Sequence, residues 1–452
     1  MKIAFHTLGC KVNQYETEAM AARFKERGHV IVGEDEFADV YVVNTCTVTA
    51  MADRKSRQFI RRMKKKNPDS IIAVTGCYVQ IDPDSVASIE GVDIITGINE
   101  KSSLPDYVEE YAKATNVGEH DHVWKHIRSY DDLGVYEDLG TVTSAENRTR
   151  AYIKVQDGCN RFCSYCVIPY ARGAVRSRPL EQIVEEARSL IEAGYKEIVL
   201  TGINTALYGE MEAESSGDEV RGIETVIAAL DKLEGDFRIR LSSLEPTVVD
   251  AEYVKKLMKY DKLCHHLHLS AQSGSDRVLK EMNRSYTVEE YEDIVGILRD
   301  FDPLYGVSAD IIAGFPGETD EDVEKSAGLI RRCGFCRTHI FRYSNRPGTR
   351  ASQRTDQISA SEKTHRSNRL QQVADEAEKK FLAASTGDVR RVLIEEYLPD
   401  EGAFTGYTDN YIKVYIKSDS EDLLKVNTFE DVELKAPYLD GMEANMLILR
   451  EN

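Results

Sequence analysis

The stretch "DGCNRFCSYCVIPY" (157–170) places Cys159, Cys163 and Cys166 within eight residues, in C-x3-C-x2-C spacing, with no fourth ligand nearby. A closed structural zinc site takes four ligands, and iron–sulfur clusters of electron carriers are normally held by four cysteines. Three thiolates can hold three corners of a [4Fe–4S] cube and leave the fourth iron open to a substrate or cofactor. A zinc site or a chance grouping of thiols is the alternative at this point. Three further thiols, Cys10, Cys46 and Cys77, lie far apart in sequence. Each comes just past an apolar, β-rich run: "KIAFHT", "DVYVVNT" and "SIIAVTG".

These runs define the elements that must position the thiols. In the first hundred residues three βα units follow one another, as expected of a parallel sheet. Ligands bind beyond the carboxyl ends of strands in such open sheets, so the three distant cysteines can converge on one side. Three ordinary buried or capping cysteines is the plainer alternative. The polar stretch Asn116–Asn147 reads as a linker or irregular crossover. A second series follows, with strands expected at "AYIKVQ", "EIVLTG", "FRIRLSS", "LCHHLHLS", "GVSADIIAG" and "CRTHIFRYS". Six units of this kind predict an open, partial (β/α)6 barrel whose active site gathers at the strand carboxyl ends. The three-cysteine loop follows the first of these strands. A long charged helix over Ser361–Ser385 leads to short β runs broken by Gly, Asp and Asn, which predict a small all-β barrel. The expected division is 1–115, a linker 116–147, 148–384 and 385–452.

Composition sets the context. The chain has 452 residues, 42% of them hydrophobic, enough for a sizeable core in several domains. No run approaches the roughly 20 apolar residues that cross a bilayer, and no leader-like segment opens the chain, so a cytoplasmic location is expected. Nine cysteines are odd in number and too sparse for a disulfide framework, and in a reducing compartment they are ligands, reactive thiols or core fillers. A net charge of −19 argues against nucleic-acid binding through overall positive charge. Local basic groups remain: "RKSRQFIRRMKKK" (Arg54–Lys66) holds eight cations and no acid, and "FRYSNRPGTRASQR" adds Arg342, Arg346, Arg350 and Arg354.

The segments "TLGCKVNQYET", "NTCTV", "TGCY", "DGCNRFCSYCVIPYARGAVRSR", "LTGIN", "HLHLSAQSGSDRVLKEMNRSYT" and "AGFPGET" together resemble the methylthiotransferase family of radical S-adenosylmethionine (SAM) enzymes. The resemblance spans nearly the whole chain. It implies an α/β fold: an N-terminal open parallel domain, a central partial radical SAM barrel and a C-terminal TRAM-like barrel. It also implies two [4Fe–4S] clusters, one on Cys159, Cys163 and Cys166 where SAM is cleaved, and a second on Cys10, Cys46 and Cys77. SAM contacts are expected near Tyr165, at Thr201 and Asn204, at Ser243 and Glu245, and at Gln272 and Ser273. Each of these seven is equally readable as a cap or turn residue, and Gly314, Pro316 and Gly317 as a turn. "LGCKVNQYET" is most similar to the branch that converts N6-threonylcarbamoyladenosine at position 37 of tRNA to its 2-methylthio form. An electron donor and a sulfur source are implied as further partners.

Methylthiolation of isopentenyladenosine or of a ribosomal protein, and a non-catalytic iron–sulfur protein, are the competing readings. Cys333 and Cys336 form a C-x2-C with no partner pair and read as packing residues; Cys264 reads as core. His266 and His268 share a strand face without a visible third ligand, which favours a structural or SAM-proximal role. From Gly387 onward acids outnumber basic residues, which places direct RNA contact by the last domain in doubt.

Overall fold

The computed structural model describes residues 1–115, 122–141, 149–209, 222–246, 249–418 and 420–447. Its first sheet has six parallel strands: β1 (Lys2–Thr7), β2 (Val30–Val32), β3 (Val40–Thr45), β4 (Ile71–Gly76), β5 (Ile94–Thr96) and β6 (Trp124–His126). Their spatial order is β2-β1-β3-β4-β5-β6. β3 and β4 are buried at every position. That explains their apolar runs, Val40–Val43 and Ile71–Val74, since helices cover both faces. The order reverses between β1 and β3, and the crevice at their carboxyl ends is where such sheets take ligands. Helix α1 (Lys11–Glu26) leaves β1, α2 (Ala50–Lys66) leaves β3, and the short α3 (Cys77–Ile81) leaves β4. Two more helices, α4 (Pro83–Ala87) and α5 (Leu104–Thr115), follow.

β6 corrects one expectation. Trp124–His126 lies inside the stretch read as an irregular linker, yet it pairs in parallel register with β5, Ile94 opposite Trp124. Its pairing depends on tertiary contacts: Trp124 meets Tyr111 edge-on at 5.1 Å and His126 stacks on Tyr107 at 3.7 Å. Three residues are too few to show a period in sequence. Residues 116–121 and 142–148 of that stretch lie outside the described residues.

The second series runs β7 (Arg150–Asp157), β8 (Arg176–Ser177), β9 (Glu197–Gly202), β10 (Arg238–Leu241), β11 (His266–His268), β12 (Gly306–Ala313) and β13 (Arg337–Arg342), with helix α6 (Ile168–Arg172) between β7 and β8. All six expected strands form. β7-β9-β10 and β11-β12-β13 pair in parallel, and the bridges Ile239–Leu263 and Leu244–Leu269 join the two groups. β8 pairs antiparallel with β7. The outward residues Ile153, Ile198, Ile239, Leu267 and Val307 enter one core with the surrounding helices. The inward positions are polar: Arg150, Glu197, Arg240, His266, His268, Asp310 and His339. The alternation follows from the two-residue period of a strand.

The helix Ala360–Ala384 leads to a closed barrel of β14 (Val389–Leu398), β15 (Ala403–Thr408), β16 (Lys413–Lys417), β17 (Phe429–Tyr438) and β18 (Gly441–Met446). Its 407–411 turn plugs the amino end of the central barrel. Buried Glu197 is held there by Arg238 at 2.6 Å, Arg240 at 2.9 Å and Arg150 at 3.1 Å. Arg240 also donates to the carbonyls of Thr408 and Asp409 and lies over the Tyr411 ring at 4.7 Å. The acidic barrel therefore closes the floor of the central one.

Candidate functional site

Cys10 precedes α1, Cys46 follows β3 and Cys77 opens α3, so all three stand at the carboxyl edge of the first sheet. They are close enough to act on one another electrostatically. Gly9 explains one approach: with φ +108° it turns the chain so closely that a Cβ there would lie 2.6 Å from Cys46 Cβ and 2.8 Å from its Sγ. Only glycine suits that position. Asn13 clamps the same edge, its Nδ2 donating to the Leu8 carbonyl (2.7 Å) and the Thr45 carbonyl (3.0 Å), while Asn44 Nδ2 donates back to the Asn13 carbonyl. Cys10 is exposed; Cys46 and Cys77 are buried.

The second group lies past β7. A Cβ at Gly158 (φ +74°) would fall 1.8 Å from the Ala174 carbonyl oxygen, so the loop can fold back only through a glycine. Its backbone is pinned from several directions: Cys159 N donates to Gly173 O, Cys166 N to Cys163 O, and Ser164 N to Met282 O. Phe162 sits at φ +47°, held by Asn283 and Arg350 donating to its carbonyl. The three thiols interact with one another, and Arg284 Nη1 lies 3.6 Å from Cys163 Sγ.

Between the groups lies a buried ionic network. Arg172, at the end of α6, donates to Glu16 (2.9 Å), to both oxygens of Asp157 (3.0 Å), to Asn13 Oδ1 (2.8 Å) and, through Nε, to Cys77 Sγ (3.2 Å). Lys101 reaches Glu16 at 3.1 Å; Lys154 reaches Glu16 at 2.7 Å and Asp157 at 2.6 Å. These side chains are essentially inaccessible to water. Three cations meet two carboxylates, and Arg176, 3.8 Å from Asp157, adds a fourth. A buried excess of positive charge needs an anion. Glu137 acts on Lys101 and Lys154 as a third carboxylate, which still leaves four cations to three acids, and the Cys77 sulfur lies directly against Arg172.

That excess bears on whether the thiols suit a cluster. Burial pushes Cys46 up to about 12, reinforced by Cys77 and only partly offset by the Val48 N–H and Arg172, and it pushes Cys159 up to about 11 against the opposing pull of Arg161. Burial and Cys163 push Cys166 up to about 12. Buried thiols in sets of three become thiolates only when metal or cationic side chains compensate them. Arg172 beside Cys77 and Arg284 beside Cys163 supply one cationic donor to each set. The donor chemistry of both sets fits a [4Fe–4S] cluster with one open iron.

The other expected contacts separate into groups. Asn204 Nδ2 donates to Glu245 Oε2 (2.7 Å), and Arg284 meets Glu245 Oε1 at 2.7 Å, which makes a polar wall beside Cys163. The Asn204 Oδ1 is buried without a partner among the described residues. Ser243 is exposed at the end of β10, and Thr201 is buried near the end of β9. Gln272 holds φ +64°. The Ser273 hydroxyl is engaged locally by Ser326 Oγ and Ser275 N. The Tyr165 ring packs against Val278, Met282, Phe315 and Tyr343.

Arg172 and Arg284 escaped the sequence reading, although both sit in segments quoted for the resemblance. Their signal is a basic residue a few positions from glycine or asparagine turns, which carries no chemistry until the fold pairs it with acids. Arg346, counted among the local basic groups, is buried, 2.8 Å from Asp53 and 2.5 Å from Thr47 Oγ1, and so fastens the Cys46 loop to the segment after β13. Asp310 and His339 bring the ligand atoms of His268 a third partner, all within 4.8 Å. Both His268 nitrogens are already engaged, by Ser308 Oγ at 2.9 Å and Asp310 Oδ2 at 3.0 Å.

Cys333 and Cys336 belong to two different apolar clusters, and burial pushes each up to about 12. Replacing both by alanine is expected to cost about 1 kcal/mol of stability apiece and no iron. Iron analysis beside urea unfolding checks this; loss of iron would make them ligands.

A parallel sheet and an open (β/α) barrel, each with three thiols at its strand ends, define the class as a radical SAM protein carrying a second thiol-rich site. The model of the "Radical SAM superfamily" matches residues 153–330, and the "Uncharacterized protein family UPF0004" model matches residues 2–97. The chain is 40% identical to the threonylcarbamoyladenosine tRNA methylthiotransferase MtaB of Bacillus subtilis (strain 168), over 97% of this chain and 95% of that protein. It is 33% identical to the tRNA-2-methylthio-N(6)-dimethylallyladenosine synthase of Clostridium botulinum (strain Okra / Type B1), over 97% and 96%. The chain belongs to the radical SAM methylthiotransferase family. Among solved structures, the radical SAM methyltransferase TsrM of Kitasatospora setae shares the fold, with a TM-score of 0.55 at 15% identity over 78% of this chain and 74% of that one.

Proposed function

We propose that this protein replaces the C2 hydrogen of N6-threonylcarbamoyladenosine at position 37 of tRNA with a methylthio group. The observation that carries the reading is the pair of three-thiol sets at strand carboxyl ends, in a chain whose 40%-identical relative is named a threonylcarbamoyladenosine tRNA methylthiotransferase. Cys159, Cys163 and Cys166 would hold the cluster that binds SAM, and Cys10, Cys46 and Cys77 the second cluster. Bound there, such groups supply the one-electron chemistry and the sulfur that an unactivated aromatic C–H bond demands. The chain's own residues have other tasks. Glu245, Asn204 and Arg284 present donors and acceptors beside the first set, where Ser243 and Thr201 also stand. The Arg172 network fixes the spacing of the two sets and keeps water out of the junction.

The division of labour follows the expected domains. The N-terminal part, extended past residue 115 by β6, carries the second cluster, the central barrel carries the radical chemistry, and the final five-stranded barrel closes its floor. A tRNA, an electron donor and a sulfur source complete the system, in the cytoplasm. No helix among the described residues is long and apolar enough to cross a membrane.

For an acidic protein to hold tRNA, α2 is the best-placed cation source. It starts four residues after Cys46; Arg57 donates to the Tyr78 hydroxyl at 2.8 Å, and Arg62 pairs with exposed Asp35 at 3.2 Å. Neutralising Arg57, Arg61, Arg62 and Lys65 together should weaken tRNA binding and flatten its salt dependence by roughly 0.7–0.9 per lost phosphate contact. An unchanged slope would move the grip elsewhere.

Nucleoside analysis of tRNA from a deletion strain tests the substrate. Threonylcarbamoyladenosine should accumulate without its 2-methylthio form, and the wild-type gene should restore it. Loss of the 2-methylthio form of isopentenyladenosine instead would favour the neighbouring branch.

A further inference from the structure

The first residue of α1 stands inside the central barrel. α1 packs its Tyr15 and Ala19 against Tyr152 on the inner face of β7, and this lays the helix across the open barrel. Lys11 lies one turn before Tyr15 on the same helical face, so its side chain enters the lumen. The charges acting on it there are those of Arg240 and Arg150, which repel it, and Glu197, which attracts it; its own charge is felt at His266 and His339. Glu197 is already shared among three arginines. Lys11 remains exposed to water, and no hydrogen bond or salt bridge to its side chain occurs among the described residues. A lysine placed among cations, with Glu197 saturated by its arginines and Asp310 engaged by His268, is a site prepared for an anion that arrives from outside.

The adjoining residue fixes where that anion must sit. Lys11 directly follows Cys10, so a base whose C2 faces the Cys10 thiol set lies within reach of the lysine. In adenine, C2 and C6 flank the same ring nitrogen, N1. The N6 substituent therefore leaves the ring on the side next to C2. On threonylcarbamoyladenosine that substituent ends in a carboxylate.

We propose that Lys11 is the specificity-determining residue of the substrate pocket and binds the threonyl carboxylate of the target nucleoside through a charge-assisted hydrogen bond, with His339 on the adjoining wall. The inference rests on the substrate reading above and adds its recognition element. It also accounts for the polar lumen: Arg150 and Arg240 below the lysine reinforce a field favouring anions, and Asp310 does not oppose it because His268 engages its carboxylate at 3.0 Å.

The test uses the full chain with clusters reconstituted anaerobically and anticodon stem-loops carrying either threonylcarbamoyladenosine or plain adenosine at position 37. The wild-type protein should bind the modified stem-loop more tightly. In Lys11→Met this preference should fall about tenfold or more, the usual scale for a hydrogen bond to a charged partner, while affinity for the unmodified stem-loop changes little. Lys11→Arg should retain most of the preference. A preference kept in Lys11→Met overturns the inference. So does an equal loss for both stem-loops, which would assign Lys11 to a backbone phosphate. No preference in the wild-type protein would instead defeat the substrate reading on which the inference stands. Iron is measured for each variant. Should Lys11→Met lose it, a stem-loop whose threonyl carboxylate is converted to the primary amide decides on the wild-type protein: weaker binding of the amide supports the inference, and equal binding overturns it.

Discussion

Replacing Cys159, Cys163 and Cys166 together by alanine is expected to reduce 5′-deoxyadenosine formation from SAM to the level of protein-free controls. The reason is in the loop. Gly158 tolerates no side chain, and the backbone from Cys159 to Cys166 is tied to Gly173 and Met282, so the three thiols stand where they do without help from a ligand. The remaining thiols cannot substitute. Cys264, Cys333 and Cys336 are buried, and the set at Cys10, Cys46 and Cys77 stands on another sheet. About half the iron should be lost, because four of roughly eight atoms belong to each set. Replacing Cys10, Cys46 and Cys77 should also halve the iron, yet leave SAM cleavage in place while methylthiolated tRNA disappears. Anaerobic iron analysis and chromatography of the nucleosides separate the two variants. Equal SAM cleavage in both would contradict the assigned roles.

Arg172→Met is expected to be the most damaging substitution outside the thiols. It removes the cation that holds Glu16 and Asp157 together across the two sheets and leaves Cys77 without its donor. Breaking a buried ion pair by deleting one partner costs about 3–5 kcal/mol, because the partner's charge stays behind unsolvated. The pH dependence of stability tests the same network. Burial alone would raise Asp157, but Arg172, Lys154 and Arg176 override it and hold this carboxyl well below its ordinary range; Glu16 is lowered against burial by Arg172, Lys101 and Lys154. A carboxylate with a depressed folded pKa stabilises the protein fully above its unfolded pKa, about 4, and that contribution disappears as the pH falls through the folded value. The wild-type protein should therefore lose stability steeply below about pH 4. In Arg172→Met the loss at neutral pH should already be present and the acid limb shallower. Urea unfolding at a series of pH values reads both. A variant as stable as wild type would show that the network contributes nothing net.

Much of this architecture was legible because strand periodicity and thiol placement are local signals. β1, β3 and β4 each carry an apolar run and are followed within three residues by a cysteine, so both the sheet and the convergence of Cys10, Cys46 and Cys77 follow from order along the chain. The six central strands and the final barrel were readable for the same reason. What escaped was set by tertiary pairing. β6 exists only because β5 offers an edge to it and Tyr107 and Tyr111 offer rings. Arg172 resembles any basic residue near a glycine until Glu16, 156 positions away, is folded against it. Lys11 was quoted within a motif, but its place inside the barrel follows from the docking of α1 on β7. Arg346, counted with the local basic groups, proves to be buried against Asp53, a partner that nothing near it in sequence announces.

The central claim is that this chain builds the methylthio group on N6-threonylcarbamoyladenosine, taking its methyl from SAM. The most direct test is one anaerobic reaction of the reconstituted protein with tRNA bearing that nucleoside, a sulfide source, a reductant and SAM deuterated in its methyl group, followed by mass analysis of the nucleosides. The account predicts that threonylcarbamoyladenosine gains a deuterated methylthio group and that 5′-deoxyadenosine forms in the same reaction. Unchanged threonylcarbamoyladenosine, with the label appearing on isopentenyladenosine or in no nucleoside at all, would contradict it.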